Sequence, residues 1–161
     1  IFPRKPILLI IGLAHITVEL VSLANKFGFE TVVIDPRGFF AKNTTFIDEP
    51  SHLFEAYPSD VLENFKLDSH TYAAILSHDP KIDDNALEIL LNKNLAYIGA
   101  LGSKKTHAKR LERLKEKGFH QEVLNRISAP IGVSINAKSA KEIALAIMAE
   151  IVEFKNKHHA N

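Results

Sequence analysis

Ile7-Leu-Leu-Ile-Ile11, running directly into Gly12-Leu-Ala-His-Ile-Thr17, is the stretch whose reading decides the fold. Five consecutive apolar, mostly branched residues with no alternation fit a strand covered on both faces. Behind the glycine, Ile16, Leu20, Leu23, Ala24 and Phe27 recur at helical spacing, and Gly28 is placed to end that helix. Thr31-Val-Val-Ile34 is a second β-branched strand, closing on Asp35-Pro36. A strand, a tight glycine turn, an amphipathic helix and a second strand make a βαβ unit.

The same alternation continues to the end of the chain. A third strand is expected near Thr45 to Ile47, and a helix from Ser59 to Phe65. Tyr72 to Leu76 reads as a fourth strand. Ile82 to Leu91 reads as a helix, with Asp83 or Asp84 at its start. Leu95 to Ile98 is a fifth strand, and a basic helix follows from Lys104 to Lys117. Gln121 to Ile127 is a short helix candidate. The last helix is the clearest: Ser139 and Glu142 form a capping box ahead of Ile143, Ile147, Ile151 and Phe154. This pattern predicts an α/β class, a Rossmann-like, mostly parallel sheet with helices on both faces. The domain is expected over residues 1–155, with a frayed polar tail at 156–161.

Composition narrows the function classes. The 161 residues are 46% hydrophobic and 24% charged, enough for one sizeable core without staples. There is no cysteine, which excludes a disulfide framework, a thiolate metal site and a cysteine nucleophile. The longest apolar run is too short to span a bilayer. A net charge of +1 gives no global attraction to nucleic acid. The charge is uneven, however. Lys104 to Gly118 holds seven Lys/Arg against two Glu, so this helix either faces an anionic partner or is simply a solvated surface.

In parallel α/β sheets, ligands bind outside the carboxyl ends of the strands, near the reversal in strand order. That rule selects four loops. In the first, Gly12, Ala14 and Thr17 stand where a dinucleotide fingerprint has three glycines, so only the first is matched. The context is stronger: Asp35 ends the next strand 23 residues after Gly12, near the expected ~20. Amides at the helix start favour a phosphate, and Gly12, Leu13, Ala14 and His15 are therefore candidate ligand contacts. Asp35 could accept ribose hydroxyls. Arg37 could instead accommodate a 2′-phosphate, which leaves NAD, NADP and FAD all open.

The second loop offers His78 and Asp79 as ligand contacts, as a proton-transfer pair, or as the turn that starts the next helix. They could also be half of a metal site with Asp83 or Asp84, but such a site needs three or four firm ligands, which the spacing does not supply elsewhere, and none is expected. In the third loop, Gly99 and Gly102 allow tight backbone. The amides of Ser103 and Lys104 would then face outward at the start of the basic helix. This is not a P-loop, whose four-residue gap and Gly-Lys-Ser/Thr ending are missing. The fourth segment, Ala129-Pro-Ile-Gly132, reads as structural.

These segments together resemble one family. Gly12-Leu-Ala-His-Ile16, Ser77-His-Asp-Pro-Lys-Ile-Asp83, Tyr97-Ile-Gly-Ala-Leu-Gly-Ser-Lys-Lys-Thr-His107, Ala129-Pro-Ile-Gly132, and Glu142-Ile-Ala with Ala149-Glu-Ile are similar to the C-terminal Rossmann domain of the XdhC/CoxI family of xanthine dehydrogenase accessory factors. The Tyr97 to His107 string is the most specific part. The resemblance implies binding of molybdenum cofactor (molybdopterin) and help in its sulfuration and insertion into a molybdenum hydroxylase such as xanthine dehydrogenase. It also implies a homodimer in a bacterial cytoplasm, and not a conventional dehydrogenase. The family loop usually reads Gly-Ala-Gly-His, and Leu13 and Ala14 replace its second and third residues, while His15 is kept. Full-length members carry an N-terminal domain with a cysteine motif, which this cysteine-free sequence is expected to lack. Two other functions compete with this one. An NAD(P)-dependent oxidoreductase fits Asp35, and a non-catalytic interaction domain fits the basic helix.

Overall fold

The computed structural model describes residues 4–37 and 45–158. Its elements in chain order are β1 (Ile7–Ile11), α1 (His15–Lys26), β2 (Glu30–Ile34), β3 (His52–Phe54), α2 (Pro58–Val61) with a 3-10 turn (Leu62–Asn64), β4 (Thr71–Ile75), α3 (Pro80–Leu90), β5 (Tyr97–Ala100), α4 (Lys104–Glu116), α5 (Gln121–Leu124), β6 (Ile127–Ser128) and α6 (Ala140–His158). The strands form one six-stranded sheet in the order β3-β2-β1-β4-β5-β6, with every neighbouring pair parallel. The order reverses between β1 and β4.

The unbroken apolar strands are explained by a core on each face. Successive strand residues point to opposite sides. Leu9, Ile11, Val32, Ile34, Ala73 and Ile75 therefore pack with Ile82, Ala86, Leu87 and Leu90 of α3 and Leu114 of α4. Leu8, Ile10, Val33, Tyr72 and Ala74 pack on the other side with Leu20, Val21 and Ala24 of α1 and Ala144, Ile147 and Ile151 of α6. Each fully buried branched side chain contributes roughly 1.5–3 kcal/mol, so both faces must be covered for the sheet to persist.

Strand register sets up the site. Ile11 lies level with Ile34 on one side and Ile75 on the other, and Ile75 lies level with Ala100. Four strands thus end together, and the loops that follow them share one edge. The ladders run one step further: Gly12 N donates to Ile34 O (2.9 Å), Leu76 N to Ile11 O (2.8 Å) and Leu101 N to Ile75 O (2.9 Å).

Several boundaries differ from the sequence expectations. Thr45 to Ile47 is irregular, and Ile47 is 69% exposed. The slot beside β2 goes to His52–Phe54, where Phe54 packs edge-on against Phe65 (5.8 Å between ring centres). Tertiary burial overrides the β-branched run. Helix α3 starts on Asp79, the turn reading of the His78-Asp79 loop: its carboxylate accepts from Lys81 N (2.9 Å), with Pro80 in the first helical position. Neither Asp83 nor Asp84 is the cap. The expected helix over Gln121 to Ile127 stops at Leu124, because Ile127 joins β5 as the edge strand β6. The Ser59 to Phe65 helix is split into α2 and the 3-10 turn. The Ser139 cap forms as expected: its hydroxyl accepts from Glu142 N (3.1 Å), and Glu142 accepts from Ser139 N (3.1 Å). Helix α6 continues through His158, past the residue at which the tail was expected to fray.

Candidate functional site

At the end of β1, Gly12 adopts φ +108°. A Cβ there would sit 2.5 Å from Ser77 Cα and 2.6 Å from Ser77 N, both backbone atoms at the end of β4. Gly12 is required because two chain segments meet at the strand-order reversal, a reason independent of any ligand. The Leu13 side chain is buried in the core. Ala14 holds the N-cap position of α1 in extended backbone (φ −141°, ψ −179°) but has no oxygen to cap with. Thr17 turns its hydroxyl back to Gly12 O (2.6 Å) and accepts from Ala14 N (3.2 Å). Among the described residues no group caps the amides of His15 and Ile16. The His15 side chain is exposed.

At the end of β2, Asp35 is 3% exposed and fully engaged. Its Oδ2 accepts from Leu13 N (2.8 Å) and from Arg37 Nη2 (3.0 Å). Its Oδ1 accepts from Arg37 N (2.8 Å) and Arg37 Nε (3.1 Å). Arg37 Nη2 also reaches Ser77 O (3.2 Å). The hydrogen bond to Asp35 holds the Arg37 pKa above its usual value, against the opposing effect of burial.

The loop after β4 is built on Ser77. Its hydroxyl donates to Asp83 Oδ1 (2.5 Å) and accepts from Asp79 N (3.1 Å). His78 is exposed and adopts φ +66°, a left-handed conformation uncommon outside glycine. Asp83 is 2% exposed on the inner side of α3. Burial raises its pKa, and the Ser77 hydroxyl and Arg110 oppose that rise.

Arg110 of α4 is 3% exposed. Its Nη2 lies 4.0 Å from Asp83 Oδ2 and donates to Leu101 O (3.2 Å). Its Nη1 lies 3.1 Å from His107 Nδ1, which must accept because a guanidinium only donates. Burial, and then the neighbouring Arg110 charge, push the His107 pKa down, so this imidazole is neutral. Its proton belongs on Nε2. The Arg110 Nε is buried without a partner among the described residues.

A continuous set of contacts thus runs along the carboxyl edge of the sheet, from Leu13 through Asp35, Arg37, Ser77, Asp83 and Arg110 to the Leu101 carbonyl. It joins the loops after β1, β2, β4 and β5. Sequence reasoning placed Gly12 to Ala14, Asp35, Arg37 and the His78-Asp79 loop on this edge, and the structure brings them together. It gives Ser77 and Asp83 no buried role on this edge and does not place Arg110 and His107 there. A signal existed: Asp83 sits between Ile82 and Ala86 on the apolar stripe of α3, and Arg110 lies four residues before Leu114 on the inner stripe of α4.

The third loop divides by role. A Cβ on Gly99 would lie 2.3 Å from Tyr97 Oη and 2.6 Å from Ile131 Cγ1, so Gly99 makes room inside the protein. Gly102 turns with φ +141°. Ser103 caps α4 by accepting from Thr106 N (3.1 Å), while Lys104 and Lys105 are exposed. The fourth segment packs on α6, where a Cβ on Gly132 would lie 3.1 Å from the Ala146 backbone. Part of the basic character of the Lys104 to Gly118 stretch is met by α3. Arg113 pairs with Asp84 (2.6 Å) and Lys117 with Glu88 (3.5 Å). A groove of about 460 Å3 between these helices is lined by those pairs together with Pro80, Lys81, Asn85 and Glu116. None of the expected ligand residues lines it. Among the described residues, no three His, Asp or Glu side chains converge on a metal position, and no helix is long and apolar enough to cross a membrane.

The comparisons with known proteins agree with this architecture. The model of the XdhC Rossmann domain matches residues 8–151. The chain belongs to this family. It is 31% identical over 153 residues to a Bacillus subtilis (strain 168) protein named as a probable xanthine dehydrogenase subunit, covering 95% of this chain and 44% of that one. It is 32% identical over 105 residues to the molybdenum cofactor insertion chaperone PaoD of Escherichia coli (strain K12), covering 65% and 32%. The crystal structure of a Bacillus halodurans protein described as a xanthine dehydrogenase superposes with a TM-score of 0.81 at 31% identity, over 97% of this chain and 44% of that one. This XdhC domain therefore spans less than half the length of these relatives.

Proposed function

We propose that this domain holds molybdenum cofactor, as cargo, at the crevice between the loops after β1 and β4, and assists its delivery to a molybdenum hydroxylase of the xanthine dehydrogenase type. One observation carries the reading: the start of α1 lies at the strand-order reversal with the amides of His15 and Ile16 uncapped among the described residues. Such a helix start complements a phosphate, which the pterin cofactor bears. Ala14, where a capping side chain would ordinarily compete, supports this fit. The names of the relatives supply the molybdenum chemistry. His15, His78 and Lys104 are the polar side chains of the flanking loops that would orient the cargo, and Gly12, Leu13 and Ala14 would supply its backbone cradle. Exposed Lys104, Lys105 and Lys109 at the start of α4 suit an acidic face on the receiving enzyme. A homodimer would present two such edges.

Calorimetric titration of the chain with purified molybdenum cofactor tests the reading. Saturable binding at roughly tens of micromolar or tighter is expected. Absence of both heat and a melting-temperature shift rejects it.

A further inference from the structure

The Asp35–Arg37 pair bears on which ligands this crevice admits. A carboxylate is an acceptor with about four lone-pair positions. In Asp35 four N–H groups use them, one from Leu13 and three from Arg37. A ribose bound at the end of β2 hydrogen-bonds its hydroxyl to this carboxylate, as in dinucleotide-binding sheets, and so needs a free carboxylate oxygen as acceptor. Here neither oxygen is available unless Arg37 leaves.

Both ends of the clamp resist that departure. Leu13 is anchored by its buried side chain, and the neighbouring Gly12 lies against the Ser77 backbone, so the Leu13 amide cannot swing aside. On the far side, Arg37 Nη2 is tied to Ser77 O, bridging from β2 to β4 across the end of β1. Withdrawing the guanidinium would leave a 3% exposed carboxylate holding its charge with neutral hydroxyls, which are weaker partners than a bidentate arginine.

We propose that the Asp35–Arg37 clamp selects against ligands recognised through a ribose diol, so that the crevice takes a phosphate-bearing group and discriminates against NAD-type dinucleotides. This inference rests on the reading of the crevice as the ligand site. It makes Arg37 a specificity-determining residue and Asp35 a structural acceptor.

The test is calorimetric titration of NAD+ into the intact chain and into Arg37→Ala, Arg37→Gln and the double variant Arg37→Ala/Asp35→Asn. Circular dichroism confirms folding, and Arg37→Gln serves if Arg37→Ala does not fold. Freeing the carboxylate should tighten NAD+ binding by at least about tenfold in the single variant, and the double variant should lose that gain. NAD+ binding that is unchanged or weaker in the folded single variant overturns the proposal. So does a gain that survives in the double variant. If the cofactor binds the unaltered chain and the NAD+ contrast is absent, only this inference falls. If the contrast appears without cofactor binding, only the cargo reading falls.

Discussion

Replacing Ala14 should stabilise the domain and weaken its ligand at the same time. Ala14 occupies the N-cap of α1 in the extended backbone that a capping residue adopts, and no side chain caps the helix. Ala14→Ser supplies a hydroxyl, and Ala14→Asp a carboxylate, to the amide of Ile16 or Thr17. Such a cap stabilises by about 1 kcal/mol, and the aspartate adds roughly 0.3–1 kcal/mol from the helix dipole. For a domain of this size, each kcal/mol raises Tm by roughly 2–4 °C. A phosphate bound at the same amides must first displace the cap. For serine that loss is about 1 kcal/mol, or roughly fivefold in Kd. For aspartate, repulsion between like charges about 4 Å apart adds up to about 4 kcal/mol at an effective dielectric of 20, so binding should fall by two orders of magnitude or more. Thermal melts and calorimetry on the three proteins read both quantities. A raised Tm with undiminished cofactor affinity in Ala14→Asp would refute placement of the phosphate at α1, and a lowered Tm would refute the vacant-cap argument itself.

Two glycines in positive-φ turns should behave differently. Gly12→Ala forces a Cβ to 2.5 Å from the Ser77 backbone and should cost about 3 kcal/mol in urea denaturation, whereas Gly28→Ala, at φ +84° with no atom within 4 Å, should cost about 1 kcal/mol from backbone strain alone. Equal losses would show that crowding at the strand-order reversal is unimportant. Arg110→Met strips Asp83 of its buried counter-charge and should cost about 3 kcal/mol, while Arg113→Ala, which breaks a half-exposed pair, should cost under about 1 kcal/mol. Burial raises the folded-state pKa of Asp83 above its unfolded value. Protonated Asp83 therefore favours the folded state, an advantage fully present below about pH 3.9 and lost as the pH rises through the folded value. The stability of the unaltered chain relative to Asp83→Asn should accordingly decline as denaturation is repeated from about pH 4 towards neutrality, and a rising difference would contradict the burial argument.

Local pattern was a good guide to the elements and a poor one to their partners. β1, α1, β2, α4 and the Ser139 cap are legible because each follows from nearby residues: apolar runs, helical spacing, a glycine stop, a capping box. The strand beside β2 was misplaced because Thr45-Phe-Ile47 and His52-Leu-Phe54 have similar propensity, and the choice rests on burial of Phe54 against Phe65, distant in sequence. The position of Asp35 at the end of β2 makes it a candidate ribose acceptor. Nothing local reveals that Arg37, two residues on, closes on it. The pairing of Asp83 with Arg110 is hidden for the same reason, since a charged residue on an inner stripe acquires meaning only from the charge opposite it.

The sequence by itself determined the α/β class, the turn at Gly12 and the loops that form the carboxyl edge, because periodicity and turn chemistry act over a few residues. Only the tertiary structure decided how those loops engage one another. Strand register brings Leu13, Asp35, Arg37 and Ser77 within hydrogen-bonding distance, and contacts between loops far apart in sequence, which no local pattern encodes, supply the Asp35 carboxylate with N–H donors from the protein itself.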